Sequence, residues 1–205
     1  MKAKRVYGLA LFLVSLVLVA AFSSAVYAKY IKKTEFKGNV TIQADLAEDF
    51  KIIESQASRN EMGEYSLVSD TEVSGNEYIL MPGVDIPKDP TIKITGKTAL
   101  PAYLYVEVVD NISDHPAVTY SLADWWQPLA GVTGPNGGKV YVYNEMVDGS
   151  TVNMSVPIIK GNTVYVGQTL VHSAAAKPFS IKFHAYMLQI PDGTSDAKII
   201  FENTF

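Results

Sequence analysis

The chain has three histidines, His115, His172 and His184, and no cysteine. A helical zinc hydrolase needs His-Glu-x-x-His, because two histidines four apart on one helix face share the metal while the glutamate acts as base. None of the three has that spacing. His115 precedes Pro116 in a loop-like stretch and His184 falls on the polar side of an alternating run, so they read as surface or packing residues. The lack of cysteine removes disulfides, thiol nucleophiles, Cys-based zinc sites and lipid attachment through a thiol. No Gly-x-Ser-x-Gly elbow offers a serine nucleophile. Carboxylates pair up as Asp45 with Glu48 and Asp49, Asp85 with Asp89, and Asp110 with Asp114. A glycosidase needs such a pair, but in an acidic chain they read as solvated loop residues. Asp110–Asp114 and Asp192–Asp196 hold the hard oxygens that calcium prefers, without the spacing of an EF-hand loop. Weak extracellular calcium is therefore the one cofactor left open, with no ligands assigned. The chain reads as no enzyme, with no catalytic, cofactor-binding or metal residues.

Two features could bind rather than react. Trp125-Trp126-Gln127-Pro128 is either a surface platform on which a sugar stacks or a plug in which one indole closes the end of the fold. Tyr103 with Tyr105, and Tyr141 with Tyr143, each fall on one side of a strand, where they pack across strands or form a sticky lateral surface.

The elements that must position these residues are strands. Phe179, Ile181, Phe183, Ala185 and Met187 alternate with polar neighbours, as do Ile92 and Ile94, Leu104, Val106 and Val108, and Val40, Ile42 and Ala44. Shorter runs of strand composition lie at 65–68, 118–122, 140–143, 152–156, 164–166 and 198–201. Pro82-Gly83, Asn136-Gly137-Gly138, Asp148-Gly149, Gly161-Asn162 and Asp192-Gly193 punctuate them as turns. Many short strands between turns predict an all-β antiparallel sandwich or barrel. Helix is scarce: 122–126 and 168–173 can each make a turn or two, and 46–56 is ambiguous.

The first residues read as an address. Lys2, Lys4 and Arg5 precede an uncharged run from Val6 to Ala21, and Val26-Tyr27-Ala28 fits the small-x-small cleavage rule. This predicts a cleavable signal helix over 1–28, with the cut between Ala28 and Lys29. The rival is an uncleaved anchor, since the uncharged stretch is long enough to span a bilayer. Either way the body lies outside the cytoplasmic membrane, and contact with the membrane is through the signal alone. Residues 1–28 hold three bases and no acid, so without them the formal charge falls from −4 to −7. Of the arginines only Arg59 remains in the body. A nucleic-acid partner, whose phosphates call for clustered bases, is excluded. Residues 29–46 follow the cut as an extended segment, and 47–205 as the sandwich domain. The segment Asn39, Val40, Thr41, Ile42, Gln43 and Ala44 either closes its own sheet or adds to the sheet of another copy.

Four stretches carry a resemblance across nearly the whole chain: the export signal running into Tyr27-Ala28-Lys29-Tyr30; Gly38–Leu46; Met81-Pro82-Gly83-Val84-Asp85 with the strands at 92–94 and 102–106; and Trp125-Trp126, Tyr141-Val142-Tyr143 and Phe179–Gln189, which ends Ala185-Tyr186-Met187-Leu188-Gln189. Together they resemble the TasA/camelysin family, secreted biofilm-matrix fibre proteins of Gram-positive bacteria that are cut by a SipW-type signal peptidase. Val84 between Gly83 and Asp85, Thr95-Gly96-Lys97 in place of Asn-x-Gly, and Val40 in place of an aromatic mark a divergent member. The resemblance implies a jelly-roll sandwich whose subunits join when an N-terminal strand enters the next subunit's sheet. The expected function is thus a secreted structural subunit of extracellular fibres or biofilm matrix, pairing with itself or with related fibre subunits. The alternatives are a monomeric cell-surface carbohydrate-binding module using Trp125 and Trp126, and a secreted metallopeptidase of camelysin type, for which the residues supply no geometry.

Overall fold

Period-two alternation places Leu104, Val106 and Val108 on one face of a strand over Ala102–Asp110, and Phe183, Ala185 and Met187 on the matching face of its neighbour, Ile181–Gln189. A computed structural model describes residues 32–34, 40–42, 49–96, 100–148, 153–170, 179–191 and 195–205. The signal segment and the Ala28–Lys29 cut lie outside the described residues.

The strands in chain order are β1 (Lys32–Thr34), β2 (Val40–Ile42), β3 (Asp49–Arg59), β4 (Tyr65–Val73), β5 (Ile86–Pro87), β6 (Thr91–Thr95), β7 (Ala102–Asp110), β8 (Val118–Thr119), β9 (Trp126–Thr133), β10 (Lys139–Tyr143), β11 (Met154–Pro157), β12 (Thr163–Val166) and β13 (Ile181–Gln189), followed by helix α1 (Ala197–Thr204). They form a six-stranded sheet in the order β1-β2-β13-β7-β10-β9, a four-stranded sheet β11-β6-β3-β4 and a three-stranded sheet β5-β12-β8. Every pairing is antiparallel except β2 with β13.

The chain is all-β and sandwich-like. One face of the six-stranded sheet packs its Leu104, Val106, Phe183 and Met187 against Phe50, Ile92, Ile94 and Val156 of the four-stranded sheet, with Ile86, Val118, Val164 and Val166 of the third sheet closing the same core. The other face is buried too. There Tyr105, Val140, Tyr186 and Leu188 pack beneath Ile200 and Phe201 of α1.

That helix corrects the reading of 198–201 as a strand. Ile199-Ile200-Phe201 has β-forming composition, but Ala197, Ile200 and Phe201 share one helical face, and the Asp196 side chain accepts from the backbone N–H groups of Lys198 (2.8 Å) and Ile199 (3.2 Å). The Tyr103 and Tyr105 hydroxyls donate to the carbonyls of Ser195 and Ala197 at 2.8 and 2.9 Å, fixing where the helix starts. This pair of tyrosines is thus a packing device and not an open lateral surface. Asp196→Ala is expected to destabilise the domain by about 1 kcal/mol and to lower Tm by roughly 2–4 °C, while Asp196→Asn retains most of the stability. A thermal melt of Asp196→Ala that superimposes on wild type would show that packing alone holds α1.

Residues 49–59, partly within the ambiguous stretch, form the long strand β3. The short stretch 122–126 is a single turn closed by Trp126 N–H to the Ala123 carbonyl at 3.0 Å, leading into β9.

Candidate assembly edge

β13 is paired on one side along its whole length, from Ile181 opposite Asp110 to Gln189 opposite Ala102 of β7. On its other side three of its residues are paired among the described residues. Ala185, Tyr186 and Met187 stand opposite Val40, Thr41 and Ile42 of β2, which runs parallel to it. β2 pairs in turn with β1, Lys32 opposite Ile42 and Thr34 opposite Val40, so the two short strands form one border of the six-stranded sheet. Of the segment singled out for inter-subunit pairing, Val40, Thr41 and Ile42 are in a strand of their own chain's sheet; Asn39, Gln43 and Ala44 lie outside the described residues.

The acceptor is rigid where β2 meets it. Ala185, Tyr186 and Met187 are buried, with Ala185 and Met187 in the inter-sheet core and Tyr186 on the opposite face. The Tyr186 hydroxyl donates to Glu107 Oε2 at 2.5 Å. Glu107, on β7, is 0 % exposed and accepts three more bonds: from the backbone N–H of Asn136 (2.9 Å) and of Gly138 (2.8 Å) at Oε1, and from Asn136 Nδ2 (2.8 Å) at Oε2. Burial and the neighbouring Glu107 hold the Tyr186 phenol well above its usual range, so it stays a donor. His184, directly opposite Glu107 in the ladder, is also buried, and its Nδ1 has no hydrogen-bond partner. Burial lowers its pKa, against the opposing pull of Glu107. Glu107 is invisible as a functional or structural centre in the sequence, where it is one polar residue on an alternating strand. The signal that points to it is the Asn136-Gly137-Gly138 turn, whose partner only the topology reveals.

The other residues that the sequence brings forward fall elsewhere, and several readings of them are corrected. Trp126 is 5 % exposed and part of the core, so Trp125 and Trp126 do not form a surface pair. Trp125 is half-buried, and both indole Nε1–H groups donate to the Pro157 carbonyl at 3.0 Å, which turns the pair inward as a plug. His115 is buried with its ring edge-on to Phe179 at 5.3 Å, away from His184 on β13, and His172 lies outside the described residues. Among the described residues no three His, Asp or Glu side chains converge as a metal site. The carboxylates read as solvated are in part anchors. Asp85 Oδ1 accepts from Val166 N–H at 3.0 Å, and Asp89 takes the Ser55 N–H at 2.9 Å and its hydroxyl at 2.6 Å. Asp110 accepts from the Ile112 N–H at 3.2 Å and from the Tyr120 hydroxyl. Asp85 thereby ties its segment to β12, Asp89 ties its segment to β3, and Asp110 holds the turn that follows β7.

No protein-family model matches this sequence, and no curated protein matches it.

Proposed function

We propose that this protein is a secreted structural subunit that assembles by N-terminal strand addition into extracellular fibres or matrix, as a divergent relative of the TasA/camelysin group. The observation that carries the reading is the border of the six-stranded sheet. There β2, from the N-terminal segment, lies parallel to β13, with Val40, Thr41 and Ile42 opposite Ala185, Tyr186 and Met187 among the described residues, and every other pairing described is antiparallel. A strand of the N-terminal segment bound at the border of the sheet can be replaced by the same strand of a second copy with the same ladder bonds, so exchange changes little in enthalpy and is governed by concentration. Because each copy both gives and receives a strand at different places, the contact is head-to-tail and grows into a filament instead of closing. Signal cleavage by a SipW-type peptidase after Ala28 frees the segment to move. The partners are further copies or related fibre subunits, with the membrane touched only before cleavage, and no catalytic step is involved.

Purified 29–205 is expected to form filaments by negative-stain electron microscopy, and a 47–205 truncation is expected to remain monomeric with the circular dichroism of a folded β protein. Filaments from both would show that polymerisation does not use the N-terminal strand. A folded monomer in both cases would leave β2 as a strand of its own domain and overturn the proposal.

A further inference from the structure

We infer that a cleft at the β7–β10 end of the sandwich, distinct from the assembly edge, is a binding site for a neutral pyranose sugar. The cleft has a volume of about 540 Å³, and its lining includes Tyr120, Trp126, Tyr141, Asp110, Ser121 and Lys139 beside aliphatic side chains and glycines. That volume falls within the range of sites that enclose small molecules, roughly 300–1,000 Å³. Its lining is graded: Trp126 is buried, Tyr120 and Tyr141 are half-buried, and Asp110, Ser121 and Lys139 are exposed. Aromatic surface at depth and hydrogen-bonding groups at the mouth is the arrangement that suits a pyranose. Its axial C–H groups form an apolar face that stacks on a ring, while its equatorial hydroxyls point outward to polar partners.

The charges narrow the ligand further. One carboxylate and one ammonium stand in the lining, so a ligand hydroxyl can donate to Asp110 and accept from Lys139 at once. Asp110 is held in place by the Ile112 N–H and the Tyr120 hydroxyl, which leaves acceptor capacity on both oxygens. Burial and Asp110 keep the phenols of Tyr120 and Tyr141 protonated through the physiological range, as uncharged stacking surfaces. Before any ligand arrives the Tyr120 ring is held by that hydrogen bond, and the Tyr141 backbone by its pairing opposite Val106 of β7 and Pro128 of β9. Pre-fixed groups lose little freedom on binding. Trp126, although buried, borders the cleft and so reports on it.

The test is titration of the 29–205 protein, at a dilution where sedimentation shows it monomeric, with cellobiose and with di-N-acetylchitobiose, followed by tryptophan fluorescence and by amide chemical shifts. We expect saturable changes with Kd on the order of 1 mM or tighter for at least one sugar, with the shifted amides at 110–112, 120–122 and 137–141. Tyr141→Ala is expected to weaken binding at least tenfold. Should that variant fold poorly, Ser121→Trp, at an exposed position, fills the mouth and is expected to abolish binding with the amide spectrum otherwise retained. No saturable change with either sugar up to about 20 mM overturns the inference. So does binding that both folded variants leave intact, and so does a response to inorganic phosphate with none to the sugars.

Discussion

Glu107→Ala is expected to lower the unfolding free energy by about 2–5 kcal/mol, read as a fall in the urea midpoint at unchanged m. Four donors converge on the Glu107 carboxylate, and they differ in what its loss does to them. Asn136 is exposed, so its N–H and amide groups turn to water at little loss. The Gly138 N–H and the Tyr186 hydroxyl belong to buried residues, and each is left with an unmet donor worth about 1–3 kcal/mol. The hairpin between β9 and β10 is packed directly against this carboxylate and its strand. A side chain at Gly134 would drive its Cβ into the Glu107 carboxyl carbon, and one at Gly138 would collide with the Val108 carbonyl oxygen. Gly138→Ala is therefore expected to be severely destabilising as well, since backbone and not a flexible side chain must yield. A loss below about 1 kcal/mol for Glu107→Ala would mean that water replaces the carboxylate and that the hairpin is held by its ladder alone.

Lys88→Met is expected to cost about 3–5 kcal/mol, and the double variant Glu54→Leu with Lys88→Met to recover most of it. Lys88 Nζ lies 2.5 Å from Glu54 Oε1, both side chains are more than nine-tenths buried, and Asn76 Nδ2 donates to Glu54 Oε2 at 3.1 Å. Breaking such a pair on one side strands a charge in a poorly solvating interior, whereas replacing both with apolar groups removes the desolvation penalty along with the attraction. A double-mutant cycle in urea separates the two cases. Single and double variants of equal stability would show that the pair is solvated in solution. By contrast, the ion pairs of Glu72 with Lys51 and Lys93 stand in solvent and are not expected to matter at this level.

The strands legible in the sequence are those in which every second residue is apolar. β13, β7, β6 and β10 each present such a face to the core, and the all-β class follows from them. β3 is obscured because its core-facing positions read Phe50, Ile52, Glu54: the third is polar, and its charge is met by Lys88, 34 residues away. The C-terminal helix misleads for the converse reason. Ile199, Ile200 and Phe201 favour a strand locally, and the face offered by Tyr105 and Tyr186, together with the Asp196 cap, selects the helix instead. Trp125 and Trp126 carry no sign of direction in the sequence. The Pro157 carbonyl, which meets both indoles, is supplied by β11, an element brought there only by the fold. The same holds for the sugar cleft, whose rings come from β9, β10 and the segment after β8.

The parallel pairing of β2 with β13 joins two strands near opposite ends of the chain. A polypeptide is made from its N-terminus, so β2 exists long before β13 does. While the rest of the sandwich is being synthesised, the strand has no site of its own to occupy, and its docking is the most non-local step in the fold. Each new copy thus passes through an interval with a finished strand and no home for it on its own sheet. Under the proposed assembly, whether a strand lands on its own sheet or on a neighbour's would be settled by a race, in which crowding of finished subunits at the point of export favours the chain and dilution favours the closed monomer.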